Sequence, residues 1–278
     1  VSYITFKTLG IAGDLGSQLQ QYSSLYAVAK YSNKEIVFPE SSLDKGWGFK
    51  FCKLVDVPLV IKPDSFFDNF VDIKPDQYSL VDHNIFELDN NTNYNINDLF
   101  HLFHYWDPKY SDDILNWKWN NIYEKEAEDL YQKIKVEGKE LVSIHVRRGD
   151  YLLPQHHHFC KLDNNYYAEA LQGFIEDIEK YHFIVFSNDI EWCKQNLIDG
   201  EMVTFMPQGT DCTDLILMSM CDHNIIANSS YSWWAAYRNK NKNKKIICPK
   251  NYLKSYSEVS FINGNYYPNT WKNIDNKL

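Results

Sequence analysis

Short apolar runs along this chain switch between a period of two and a helical period, and glycine, proline and asparagine mark the switches. Tyr3–Thr8 reads as a strand. A glycine-rich turn follows. Leu15, Leu19, Tyr22, Tyr26 and Ala29 then recur at helical spacing, which predicts an amphipathic helix over Gly16–Tyr31. Glu35–Phe38 is a short strand stopped by Pro39. Residues 40–115 are rich in Asn, Asp, Phe and Tyr and read as loops, short strands and short helices. Asn121–Gly138 is a charged amphipathic helix ending at a glycine. Beyond it the pattern is regular: strand Leu141–Val146, helix Asn165–Tyr181, strand Phe183–Phe186, strand Met202–Met206, helix Asp211–Cys221 and strand Asn224–Ala227. Asn228–Tyr237 runs on as loop then helix, and Ile246 and Ile247 form a last short strand. Strands alternating with helices predict an α/β fold, a parallel sheet covered on both faces. Such sheets bind ligands at the carboxyl ends of their strands, so candidate chemistry is sought there.

Composition narrows the choice of function. A length of 278 residues suits two modest α/β domains or one large one. Aromatic residues make up 16% of the chain; their faces suit sugar rings, although most are expected in the core. The formal charge of −9 argues against a general nucleic-acid binder and leaves room only for a local basic pocket. The six cysteines form no CxxC pair and read as reduced core thiols, which suggests a reducing compartment. There is no secretory leader pattern and no apolar run long enough to span a membrane. The expectation is a soluble, cytoplasmic chain, with a chain peripheral to a membrane and a soluble domain of an anchored protein as the alternatives.

Four strand ends carry candidate chemistry. In HVRRGD, His145 and Arg147 alternate with Val146, and Arg148, Gly149 and Asp150 leave the strand in a turn. Two guanidiniums there suit a diphosphate, because each is planar, bidentate and permanently charged; a surface ion-pair cluster explains them equally well. In GIAGDLGSQLQQY, three glycines precede a helix, as in anion-binding turns, but the spacing fits neither a nicotinamide site nor a P-loop, and a plain tight turn suffices. In IIANSSYSWWAAY, Asn228, Ser229 and Ser230 cap a helix or bind a ligand, while Trp233 and Trp234 read first as core. In TDCTDLILMSMCDHN, Asp214 either favours a helix start or accepts hydrogen bonds from a guanine edge or a ribose. His156, His157, His158 and Cys160 raise the thought of a metal site, but consecutive histidines cannot easily converge on one ion, so no metal is assigned; a solvated loop or acceptor contact fits better. Arg148-Gly149-Asp150 abuts a buried strand, which disfavours reading it as an adhesion tripeptide.

SIHVRRGDY, CKLDNNYYAEAL, FSNDIEWCKQN, DLILMSMCDHNIIANSSYSWWAAY and KKIICPKNY resemble, in order and spacing, the bacterial-type α-1,2-fucosyltransferases of glycosyltransferase family 11. GDLGSQLQQYSSLYAVAK is similar to that family's N-terminal glycine turn, and the stretch from about 40 to 120 offers no specific match. The resemblance implies a GT-B architecture: two Rossmann-like domains facing a cleft, at 1–138 on the acceptor side and 139–278 on the donor side. It implies GDP-β-L-fucose as donor, a galactose-containing glycan as acceptor, inversion, an α-1,2 link, no metal and no separate cofactor. By the same resemblance Arg147 and Arg148 neutralise the departing diphosphate, and His145 and Asp214 touch the guanosine. Ser229 and Ser230 hold diphosphate oxygens at a helix N-terminus, Asn228 joins the donor-binding set, and Gly13, Gly16 and Gln18 close the cleft from the other domain. Asp150 is a candidate base for the acceptor hydroxyl, or else orients Arg148 or caps its turn. Asp14 and Ser17 depart from the family's usual glycine and asparagine. The departures keep two rivals open: a GDP-sugar-binding module without turnover, and a related fucosyltransferase with another acceptor or linkage.

Overall fold

A computed structural model describes residues 1–11, 13–76, 81–97, 102–254 and 262–276. Ala12 of the glycine turn, and residues 77–80 and 98–101 of the stretch read as loops, lie outside them. The chain divides into two units, Val1–Asn120 and Asn121–Leu278.

The first unit runs through β1 (Tyr3–Thr5), α1 (Leu15–Tyr31), β2 (Glu35–Ile36), β3 (Phe38–Pro39), α2 (Phe51–Leu54), β4 (Ile61–Lys62), β5 (Val71–Ile73), β6 (Tyr94–Ile96) and α3 (Ser111–Leu115). Four strands form a parallel sheet in the order β2-β1-β6-β5, and β3 pairs with β4 in a separate parallel ribbon. The single strand expected over Glu35–Phe38 is therefore two, in different sheets, with Val37 between them. Asp14 starts α1 by accepting the Leu15 N–H. The sequence predicts one apolar face on α1, but Gln18, Gln20, Gln21, Ser23 and Ser24 are buried as well as the apolar stripe.

The second unit comprises α4 (Asn121–Ile134), β7 (Glu140–Val146), α5 (Asn164–Leu171), β8 (Tyr181–Ser187), α6 (Ile190–Asn196), β9 (Val203–Phe205), α7 (Asp211–Met220), β10 (His223–Ile225), α8 (Ser230–Tyr237), β11 (Ile246–Pro249) and β12 (Lys272–Ile274). The helix read at Asn121–Gly138 belongs here: Thr213 Oγ1 on α7 donates to Glu126 Oε2 on α4 at 2.7 Å. All six strands are parallel, in the order β12-β11-β10-β7-β8-β9. Residues of α5 and α6, among them Tyr166, Tyr167, Ala170 and Cys193, pack on Val142, Ile144, Phe183 and Val185. On α7, Leu215, Ile216, Leu217 and Met218 are buried, and Asn224 Nδ2 ties β10 to the Ser143 hydroxyl at 2.7 Å and the Met218 carbonyl at 2.8 Å.

The long helix expected over Asn165–Tyr181 stops at Leu171 and resumes as a 3₁₀ turn over Ile175–Lys180. Gly173 sits in the break, and a Cβ there would come within 2.8 Å of the Ile247 side chain. Glycine weakens a helix, and its lack of a side chain lets the backbone lie close to β11 here. The strand β12 carries no alternation strong enough to predict it.

Counted within the unit, the strand order is 3-2-1-4-5-6, the doubly wound order of dinucleotide folds. The order reverses between β7 and β10, which lie side by side with Ile144 paired to Ile225. The loops leaving these two strands splay apart at such a point and leave a crevice at the carboxyl ends.

Candidate active site

The segments leaving β7 and β10 are His145–Asp150 and Asn228–Ser230. His145 is buried near the end of β7, and its Nδ1 has no partner. Burial, with Arg147 nearby, pushes its pKa down to about 3, so the ring is neutral. Its ring lies 5.4 Å from that of Tyr231 on α8, whose hydroxyl donates to the Asp211 carbonyl at 2.7 Å.

The two arginines are held separately. Arg147 Nη2 donates to Asp150 Oδ2 at 2.9 Å, and its guanidinium lies 5.6 Å from the Tyr151 ring. Arg148 Nε donates to Asp189 Oδ2 at 3.1 Å, and its guanidinium stacks 4.0 Å from the Trp192 ring. Asp189 also caps α6 by accepting the Trp192 N–H, so one carboxylate fixes both the helix and the cation. The Arg148 N–H donates to Asn188 Oδ1 at 3.0 Å. Asn188 lies so close to Gly149 that any Cβ there would collide with its amide nitrogen. The glycine is needed for space, not for an unusual backbone angle. Of the alternatives for Asp150, orienting Arg148 falls to Asp189; Asp150 holds Arg147 and keeps a buried, unpaired Oδ1.

On the neighbouring strand end, Asn228 is fully buried. Its Nδ2 donates to the carbonyls of Cys160 at 2.8 Å and Tyr252 at 3.0 Å, and its own carbonyl receives the Tyr151 hydroxyl at 3.0 Å. It acts as a pin that ties β10 to the loop after β7. Ser229 is the N-cap of α8 and accepts the Tyr231 N–H at 3.4 Å; Ser230 opens the helix, and both are buried. The first N–H groups of α8 therefore lie beside the two arginines' strand, an arrangement that favours an anion. Trp233 and Trp234 are core: both are buried, and Trp233 Nε1 donates to the Tyr266 carbonyl at 3.0 Å.

Asp214 stands in the first turn of α7. Its Oδ2 accepts the Gly209 N–H at 3.2 Å, and its Oδ1 is buried with no partner. Burial pushes its pKa up to about 6. Tyr231 lies near both Asp214 and Arg147. The strand ends thus present cations and helix N–H groups at one place, and an unpaired acceptor with a neutral imidazole at another. A nucleoside diphosphate needs both kinds of partner.

In the first unit, Gly13 has φ +95°, and a side chain there would meet Ser17. Gly16 is buried in the first turn of α1. Gln18 is fully committed within its own unit: Oε1 accepts the Lys50 N–H at 2.8 Å and Nε2 donates to the Gly48 carbonyl at 3.0 Å. Asp14 forms an ion pair with Lys50 at 2.6 Å. Among the described residues no helix is long and apolar enough to cross a membrane, and no group of three or more His, Cys, Asp or Glu converges as a metal site. His157 Nδ1 lies 3.0 Å from the Pro154 carbonyl, and the rings of His156 and His158 are 6.1 Å apart.

The family model "Glycosyl transferase family 11" matches residues 3–275. The chain belongs to glycosyl transferase family 11. This family-11 chain is 35% identical over 133 residues to the O-antigen biosynthesis glycosyltransferase WbnK of Escherichia coli, a match covering 45% of this chain and 43% of that protein. It is 36% identical over 121 residues to an α-1,2-colitosyltransferase of Escherichia coli, covering 37% of this chain and 41% of the relative. It is 37% identical over 105 residues to the human galactoside α-(1,2)-fucosyltransferase 1, covering 36% of this chain and 29% of the relative. Each match spans less than half the relative's length. Among solved structures, the fold is shared with the fucosyltransferase NodZ from Bradyrhizobium at a TM-score of 0.57 and 14% identity, over 84% of this chain and 91% of NodZ. It is shared also with POFUT1 in complex with GDP-fucose at a TM-score of 0.57 and 13% identity, over 88% and 98% of the two chains. The α/β fold with parallel sheets expected of the GT-B class is the one observed.

Sequence reasoning on this family-11 chain missed the residues that hold the arginines. Asn188, Asp189 and Trp192 sit in FSNDIEW, a stretch whose position after a strand already marked it as a strand-end loop. Tyr151 and Tyr231 were hidden among 20 tyrosines, most of which have no special place.

Proposed function

We propose that this chain transfers an L-fucosyl group from GDP-β-L-fucose to the 2-hydroxyl of a galactose in an oligosaccharide, with inversion and without a metal. One observation carries the reading. Two arginines, each oriented by its own carboxylate, leave β7 beside the strand that leads into α8, at the point where the strand order reverses. Arg147, Arg148 and the first N–H groups of α8 would bind the diphosphate, and Ser229 and Ser230 would line its oxygens. Asp214 Oδ1 and His145 Nδ1 are buried atoms without partners, and a guanosine edge offers them hydrogen bonds.

In the reaction the bond from the fucose anomeric carbon to the β-phosphate oxygen breaks, and its electron pair leaves with GDP. The sugar gains oxocarbenium character, and the acceptor oxygen bonds to the opposite face. Charge grows on the leaving diphosphate, where fixed cations and helix N–H groups stabilise it without reorganisation. We assign the acceptor's proton to Asp150, whose Oδ1 is unpaired. Gly13, Gly16 and Gln18 support the reaction as the rigid glycine turn of the first unit.

The test is GDP release from GDP-fucose in excess EDTA, with and without lactose or N-acetyllactosamine. Acceptor-dependent release, with an α-1,2 product by NMR, supports the proposal. Binding of GDP-fucose without release in any acceptor would favour a silent binding module, and activity recovered only with added metal would overturn the metal-free reading. Because a relative is a colitosyltransferase, GDP-colitose is run as a competing donor; preference for it would replace fucose with its 3-deoxy counterpart.

A further inference from the structure

Of the eight tryptophans in the chain, Trp47 alone is exposed, with 58% of its surface open. An indole on a loose loop would carry little meaning, but this loop is fixed at several points. The Trp47 N–H donates to the Gly10 carbonyl at 2.8 Å. The Gln18 side chain grips the loop through the Gly48 carbonyl and the Lys50 N–H. Gly46 has φ +60°, and its Cα lies so near the Gly10–Ile11 backbone that a Cβ would come within 2.7 Å of it. These bonds anchor Trp47 to the turn that follows β1, at the carboxyl end of the first unit's sheet, where parallel sheets bind ligands.

Polar groups flank the indole. Lys50 Nζ lies 5.1 Å from the ring centroid and 2.6 Å from Asp14 Oδ1. Asp14 Oδ1 also accepts the Leu15 N–H, so the ion pair and this bond fall on one oxygen and Oδ2 remains an acceptor. The carboxylate that breaks the family's glycine pattern is thereby neutralised by a neighbour in its own unit. Exposed Ile11 and Leu43 lie in the same turn and loop.

We propose that Trp47, with Asp14 and Lys50, is a platform for a pyranose ring of the acceptor oligosaccharide, an inference that rests on the fucosyl-transfer reading above. A β-galactoside fits this chemistry. Its axial 4-hydroxyl leaves the C3, C4 and C5 hydrogens as a flat apolar face that stacks on an indole, and its rim hydroxyls can donate to Asp14 Oδ2 and accept from Lys50. Rigid aromatic anchors give large contact area at little entropic cost, and such anchors commonly dominate a binding surface. The platform would set acceptor choice, while the donor is held by the second unit.

The test is Trp47→Ala, with Trp47→Tyr as the conservative partner. Trp47→Ala is expected to raise the acceptor KM at least tenfold, equal to about 1.4 kcal/mol. The Kd for GDP-fucose should stay within twofold, and Trp47→Tyr should recover most of the loss. Because Trp47 is exposed, the melting temperature serves as a check that the fold is intact. An acceptor KM within twofold of wild type in a folded Trp47→Ala protein would overturn the platform, as would an equal rise in the donor Kd. If the wild-type chain transfers to no β-galactoside, the proposed function falls instead. Saturation-transfer NMR with N-acetyllactosamine then decides the platform separately: a signal in wild type that Trp47→Ala loses supports it, and equal signals or none overturn it.

Discussion

Asp214→Asn separates function from stability at one position. In the folded chain this carboxyl has a pKa of about 6, against an ordinary value of 3.8. The cause is burial, opposed only by the Gly209 N–H. Between those two pH values the folded state holds a proton that the unfolded state has lost. Stability therefore falls as pH rises through this window, and the loss is complete above pH 6. A difference of roughly two pK units makes the ionised acid cost about 3 kcal/mol at pH 7.5, and about half of that at pH 5. Asparagine keeps the shape and the Gly209 bond but cannot ionise. Its buried amide adds a cost of its own, which is the same at both pH values and cancels in the difference. Relative to wild type, the variant should gain about 1.4 kcal/mol between pH 5 and pH 7.5, or about 3 to 5 °C in melting temperature for a chain of this size. The variant should also bind GDP about 10- to 100-fold more weakly, because asparagine turns an N–H donor toward the guanine donors and a hydrogen bond to a charged group is worth about 1.5–3 kcal/mol. GDP binding to wild type near pH 5.5 should release protons, readable by calorimetry in two buffers of different ionisation enthalpy. Parallel melting curves for the two proteins across this pH range would refute the assigned ionisation. Unchanged GDP affinity in the variant would refute the guanosine role.

Arg148→Lys keeps the charge but loses the planar group that bonds Asp189 while stacking on Trp192. Transfer should fall about 100- to 1000-fold in steady-state assays with the circular dichroism unchanged; a loss under fivefold would mean that a point charge suffices. Gly149→Ala is tolerated by the backbone and fails only on contact with Asn188. It should lower both activity and melting temperature, and adding Asn188→Ala should restore most of the melting temperature but not the activity, since the Arg148 N–H has then lost its acceptor.

The second unit was legible because its strands are fully buried and bounded by turns, and because its chemistry sits next to those boundaries. Ile144 and Val146 fix where β7 ends, so the position of His145–Asp150 could be read directly. The close packing at the break after Leu171 could not be read, because Gly173 lies against Ile247, a residue 74 positions further on. The same holds for the arginines' partners: Asp189 is 41 residues from Arg148, and only the pairing of β7 with β8 brings them together. Sequence spacing shows which residues share an element. It does not show which of several acids faces a given cation, and so Asp150 and Asp189 could not be told apart. In the first unit the strands are two or three residues long, too short for a period to show, and the loop bearing Trp47 is held by a backbone bond to Gly10 and by Gln18, about 30 positions away in the chain.

Four unpaired atoms at the strand ends of the second unit are the strongest physical argument that those ends are built for a ligand. His145 Nδ1, Asp150 Oδ1, Asp214 Oδ1 and Asn228 Oδ1 are buried and have no partner. Each such atom costs about 1–3 kcal/mol relative to one that is satisfied. A fold selected for stability alone would replace them with apolar groups of the same shape. These four come from the end of β7 and the turn after it, the segment after β10 and the start of α7, and Tyr231 neighbours two of them, His145 and Asp214. Three of the four are oxygen acceptors, whereas the arginines and the α8 N-terminus are donors. A simple anion such as sulfate would satisfy only the donors. A guanosine diphosphate carries anionic oxygens at one end and N–H donors at the other, so it can satisfy the cations together with Asp214 Oδ1, while Asp150 Oδ1 is left for the acceptor hydroxyl. The same reasoning explains how a chain of net charge −9 can bind an anion: the positive groups are few, fixed in place and concentrated where the strand order reverses.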